Sequence, residues 1–142
     1  MAAKVIGVSL LWCCQICRGR SHVERLLAYC AGKDELRNYG LLFLVTYIFL
    51  LRMPSEALQI QAWSGACCLT VEGDSVILSL EKRKNRPGGS RLTRGCWCKQ
   101  SRSTCPLHVL GPVLGRSARG DRLFPGISAA SALSVLRFVS CL

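Results

Sequence analysis

Cys96-x-Cys98 is followed, six residues on, by Cys105-x-x-His108, so four soft donors fall within one short stretch of chain. Thiolate sulfur and imidazole nitrogen are the ligands that tetrahedral zinc takes, and four of them close its coordination shell. The Cys-x-Cys gap is tighter than the usual spacing of about two to four residues between paired ligands. The same residues also fit an arrangement without metal. Cys96 and Cys98 would then occupy alternate sites of a strand, while Cys105 and His108 belong to a helix. The primary expectation is no cofactor; zinc on Cys96, Cys98, Cys105 and His108 is the alternative. Cys13, Cys14 and Cys17 with His22 form a second, poorer set. A redox reading of Cys14-x-x-Cys17 fails because no strand–helix unit frames it.

Two more clusters carry charge suited to chemistry. In Leu51-Arg52-Met53-Pro54-Ser55-Glu56, an arginine stands at the break between an apolar helix and a proline-started segment. Its guanidinium can project into a cleft, with Glu56 four residues on able to fix its fork. Alternatively Arg52 caps the last carbonyls of the preceding helix. The other cluster is Lys82-Arg83-Lys84-Asn85-Arg86-Pro87-Gly88-Gly89-Ser90. Lysines on a turn between strands reach phosphate as mobile point charges, and one of them could protonate a leaving oxygen. The plain alternative is a solvated hairpin tip.

These clusters need elements to position them. Val23, Leu26, Leu27 and Cys30 repeat at helical spacing between Ser21 and Gly32, and Ser21 with Glu24 makes a capping-box pattern. Asp34 is expected to cap a second helix that runs through Leu36 and Tyr39 into the apolar stretch Leu41 to Leu51. A helix apolar on every side belongs in the middle of a core. Pro54 breaks it and suits the first turn of a new helix, expected over Ser55 to about Gln61. Cys67 to Val71 and Ser75 to Leu80 read as strands around Glu72-Gly73-Asp74, and Lys82 to Arg94 as a long exposed turn. Arg91 to Trp97 is expected to return as a strand. Pro106 to Leu114 and a Ser128-capped segment read as helices. The last helix has Ala129, Ala132, Leu133 and Leu136 on one face, and Val135, Phe138 and Val139 on another. Two apolar faces imply that something packs on the second, which could be another copy of the chain. The predicted class is α+β: helices, a small antiparallel sheet, then further helices.

Composition narrows the partner. Half of the 142 residues are apolar, which supports one real core and excludes wholesale disorder. The net charge is +11, yet residues 1–81 hold seven basic and seven acidic side chains. Residues 82–120 hold ten basic side chains and no acid. That local excess points to a polyanion, with nucleic acid ahead of an acidic membrane. The ten cysteines, together with the lack of a cleavage site after the apolar run from Val5 to Trp12, suggest an intracellular protein, nuclear or cytoplasmic, with reduced thiols. Leu41 to Leu51 is too short to cross a bilayer, so no membrane partner is expected.

The order of these parts resembles the front half of a tyrosine recombinase (phage-integrase-like) catalytic domain, of the divergent eukaryotic mobile-element type. The resemblance rests on Phe49-Leu-Leu-Arg52-x-Pro-Ser-Glu56-Ala-Leu58, on Arg83-Lys84-Asn85-Arg86-Pro87 with Gly89-Ser90, and on Cys105-Pro106-x-x-x-Leu110. It covers roughly residues 36–140 and leaves 1–35 as an N-terminal helical extension, with 36–142 as a partial DNA breaking-rejoining domain. It implies that Arg52 clamps a scissile phosphate with support from Glu56, and that Lys84 is the general acid, with Lys82 a second choice. It implies that Lys82, Arg83, Arg86, Arg91 and Arg94 hold the DNA backbone. The family's small-residue turn before the arginine is replaced here by Phe49-Leu50-Leu51. No His-x-x-Arg follows Leu110, and Tyr29, Tyr39 and Tyr47 all precede Arg52. The expectation is therefore a truncated fragment that binds DNA, belongs to a family of DNA recombination and integration, and is inactive alone.

Overall fold

The structure, a computed structural model, describes residues 20–52, 55–81 and 88–140. In chain order its elements are α1 (Arg20–Ala31), α2 (Arg37–Phe49), β1 (Gln61–Ala62), β2 (Cys67–Glu72), β3 (Ser75–Leu80), β4 (Ser90–Gly95), α3 (Pro106–Gly115) and α4 (Ala129–Ser140). The class is α+β, as expected. The chain divides into two compact units, Met1–Leu58 with Gly126–Leu142, and Gln59–Pro125. The boundary drawn near residue 35 from sequence falls inside the first unit.

In that first unit, Val23, Leu26 and Cys30 form the buried stripe of α1. Ser21 already lies within the described helix, so it is not the N-cap. Leu42 to Thr46, Ile48 and Phe49 are all buried, which places α2 at the centre of its unit as its all-round hydrophobicity requires. Asp34 does not cap α2. It belongs to a 3-10 turn over Asp34–Leu36, Leu36 takes the N-cap position without a side-chain bond, and the Asp34 carboxylate instead meets Arg37 at 2.9 Å. The helices α1 and α2 cross closely at Gly40, where an added Cβ would lie 2.8 Å from that of Cys30. The last helix, α4, begins as read from sequence: Ser131 N–H donates to Ser128 Oγ, and Ser128 N–H donates to Ser131 Oγ, both at 3.1 Å. It buries Ala132, Leu133, Leu136 and Val139.

The helix expected over Ser55–Gln61 does not form. A single 3-10 turn at Ala57–Gln59 gives way to β1. Longer-range bonds outcompete the local helix: Leu123 N–H donates to Ile60 O, Ala62 N–H to Asp121 O, and Trp63 N–H to Leu69 O. β1 lies parallel to β2, while β2–β3 and β3–β4 are antiparallel, so the four-stranded sheet is mixed rather than antiparallel. Gly73-Asp74 closes the β2–β3 hairpin, with Gly73 at φ 58° supplying the positive φ that such a two-residue turn needs. At Gly89 (φ 83°) a β-carbon would collide with the carbonyl oxygens of Leu80 and Glu81, so the β3–β4 connection requires glycine there. One sheet face presents Leu69, Val76 and Leu78, all fully buried, and α3 packs on β2 and β3 with Leu110 and Leu114 also fully buried.

Candidate metal centre

β4 stops at Gly95, one residue before the first cysteine, and this decides how the cluster forms. Had the strand continued through Trp97, as expected from sequence, Cys96 and Cys98 would share a face at strand spacing. Instead the chain turns: Gln100 N–H and Ser101 N–H both donate to Trp97 O, at 2.9 and 3.1 Å. The turn folds Cys96 and Cys98 back toward the start of α3. There Pro106 takes the first helical position, Cys105 precedes it in extended conformation, and His108 follows within the first turn. The strand-and-helix arrangement that would keep the four residues apart is not what the chain adopts.

The donor atoms converge. His108 Nδ1 lies 3.0 Å from Cys98 Sγ, 3.3 Å from Cys105 Sγ and 3.5 Å from Cys96 Sγ. Cys105 Sγ and Cys96 Sγ are 3.6 Å apart. All four ligand atoms fall within 4.8 Å of one another. Bonds of about 2.3 Å to sulfur and 2.0–2.1 Å to nitrogen put tetrahedral ligand edges at about 3.5–3.8 Å, so a single zinc ion fits among them with small adjustments. Cys105 is buried, Cys98 half-buried, and Cys96 and His108 exposed.

The surroundings favour a thiolate at Cys105. Burial pushes its thiol up, but hydrogen bonds from the backbone and ring of His108, from the Trp97 N–H and from Cys98 outweigh it and bring the thiol down to about 6. The Trp97 N–H to Cys105 Sγ distance is 3.4 Å. Its position at the N-terminus of α3 adds the favourable end of the helix dipole. Cys98 moves the other way, to about 12, through desolvation first and then through its hydrogen bonds to Cys105 and Cys96. Trp97 is a residue that the sequence did not single out. Its indole N–H donates to the buried Thr104 Oγ1 at 3.2 Å, tying the two ends of the ligand loop together. No motif marks such a role, because its backbone donor is available from any residue other than proline.

The other sequence-picked residues are distributed elsewhere. Arg52 and Glu56 are brought together. The Arg52 N–H donates to Glu56 Oε1 at 2.8 Å, and the guanidinium Nε lies 3.6 Å from the same oxygen. Glu56 is 3% exposed at its side chain and Arg52 44%, so a buried carboxylate anchors an arginine that still reaches solvent. Arg91 is exposed on β4, and its guanidinium already engages both carboxylate oxygens of Glu72, at 3.1 and 3.0 Å. Arg94, three residues further along β4, donates to Thr93 O at 3.0 Å. Lys82, Arg83, Lys84 and Arg86 lie outside the described residues, as do Cys13, Cys14 and Cys17 of the poorer cysteine set. Among the described residues no helix is long and apolar enough to cross a membrane. Comparison with family models, curated proteins and solved structures returned no match.

Proposed function

We propose that this chain is a zinc-stabilised DNA-binding module whose metal is structural. The convergence of Cys96, Cys98, Cys105 and His108 carries the reading. Three thiolates and an imidazole fill a tetrahedral shell, leaving no position for water or substrate, which separates a structural zinc from a catalytic one. Such a centre holds the end of β4 against the start of α3. It thereby steadies the β3–β4 hairpin, whose connection contains Lys82, Arg83, Lys84 and Arg86. The acid-free run of ten basic side chains over 82–120 supplies the attraction to phosphate. An intracellular setting, in the nucleus or cytoplasm, is part of the reading because thiolate ligands need reducing conditions.

Metal analysis of protein purified under reducing conditions tests it. The expected result is one zinc per chain, lost on Cys98→Ser together with a marked fall in thermal stability. Metal-free protein with an unchanged melting temperature would overturn the reading.

A second reading concerns ancestry. The buried Glu56 that anchors Arg52 favours a relation to the front half of tyrosine recombinase catalytic domains. In that reading Arg52 contacts a DNA phosphate and Lys84 stands in the general-acid position. In that reading Arg52 and Lys84 supply contacts to phosphate and not the nucleophile, which in such domains is a tyrosine. Self-association belongs to the same proposal. Phe138 is 59% exposed beside a groove of about 410 Å³ lined by Tyr29, Leu36 and Val135. Sedimentation is expected to show a concentration-dependent dimer that Phe138→Glu abolishes, and a strictly monomeric wild type would remove this part.

A further inference from the structure

The geometry points to the Cys96–Cys105 pair as a peroxide-sensitive release for the metal, an inference that rests on the zinc reading above. Two of the four ligands, Cys96 and His108, are exposed, so an oxidant has direct access to one zinc-bound sulfur. The Cys96 and Cys105 sulfurs stand 3.6 Å apart, and a disulfide requires them to close to about 2.05 Å. Away from the cluster, the described cysteines Cys30, Cys67 and Cys68 are all buried. Burial pushes the Cys30 thiol up to about 11, which leaves it protonated and unreactive at neutral pH. The cluster is therefore the part of the described surface where an oxidant meets thiolate.

The chemistry balances with hydrogen peroxide as oxidant. The Cys96 thiolate attacks one peroxide oxygen, the O–O bond breaks, and hydroxide leaves, giving a sulfenic acid. The Cys105 thiolate then attacks the Cys96 sulfur, forming the S–S bond and expelling a second hydroxide. Two thiolates are oxidised by two electrons, and one peroxide is reduced to two hydroxides. Zinc, left with Cys98 and His108 alone, leaves the site. A dithiol reductant reverses the disulfide, and added zinc refills the shell.

The experiment uses the full chain loaded with zinc under reducing conditions and then freed of reductant. Hydrogen peroxide is titrated in while released zinc is read with a chromogenic chelator. The oxidised product is digested without reduction and mapped by mass spectrometry. The expected result is release approaching one zinc per chain near one equivalent of peroxide, a peptide pair joined through Cys96 and Cys105, and recovery of bound zinc after dithiothreitol and zinc. Zinc retained at a large peroxide excess would overturn the proposal, as would zinc release with disulfides confined to cysteines outside the cluster. A chain that holds no zinc before peroxide is added overturns the metal reading itself, so the two failures are told apart at the first step.

Discussion

Cys98 and Cys105 are nearest neighbours of the same imidazole, yet they hold their protons with very different strength. Cys105 sits at about 6, because the hydrogen bonds it accepts outweigh burial, and Cys98 at about 12, because desolvation and crowding by other sulfurs oppose its charge. At neutral pH without metal, Cys105 is thus a thiolate and Cys98 a thiol. Zinc binds thiolates, so loading must displace the Cys98 proton. The sign follows directly: raising pH removes a competing proton and strengthens zinc binding by about tenfold per unit for each proton displaced. Calorimetry in buffers of different ionisation enthalpy is expected to count at least one proton released across neutral pH. The slope of zinc affinity against pH should steepen below about 6, where Cys105 also takes up a proton. A pH-independent affinity would exclude Cys98 from the shell. The donor types at 96, 98, 105 and 108 were legible in the sequence. Their approach to one imidazole nitrogen was not, since spacing alone equally allowed strand-alternate cysteines.

Single elements show where local pattern suffices and where it gives way. α1, α2, α3 and α4 follow from apolar periodicity, Pro106 at a first turn and Ser128 at a cap. The start of α2 and the segment after Pro54 do not, because Asp34 finds Arg37, Ile60 and Ala62 find backbone partners at Leu123 and Asp121 far along the chain, and Trp63 bonds Leu69. The end of α2 is a sharper case. Leu50 adopts φ 53°, ψ 55° and donates its N–H to Thr46 O, closing the helix in the left-handed conformation that normally takes glycine. Its side chain is 65% exposed, so it returns little burial for that strain. Leu50→Gly is expected to raise stability by about 0.5–1 kcal/mol, the left-handed penalty of roughly 1–2 kcal/mol less the added chain entropy of glycine. Chemical denaturation checks this, and a clear loss of stability would show that Leu50 makes contacts worth more than its backbone strain.

Across the whole molecule, charge is unevenly spread, and the unit from Gln59 to Pro125 holds eleven basic and four acidic side chains. Arg91 is partly spoken for by Glu72 and adds little to an outward field. If about four of the remaining cations touch phosphates, DNA affinity should fall roughly 100-fold or more between about 50 and 200 mM salt, with little dependence on base sequence. Fluorescence anisotropy with two unrelated duplexes measures both. Salt-independent binding, or strong preference for one duplex, would refute backbone contacts as the source of affinity.

The sequence by itself determined which segments are apolar enough to be core, which residues can ligate metal and where the positive charge accumulates. Those properties are local, set by side-chain type and by spacing along a few turns of chain. Tertiary structure alone decided that β4 ends at Gly95, that β1 pairs parallel to β2, and that three sulfurs and one imidazole nitrogen meet within 4.8 Å. Each of these depends on which hydrogen-bond partner a segment takes, whether a turn such as Trp97–Ser101 or a neighbouring strand seven residues on, and the chain's own periodicity carries no information about which partner wins.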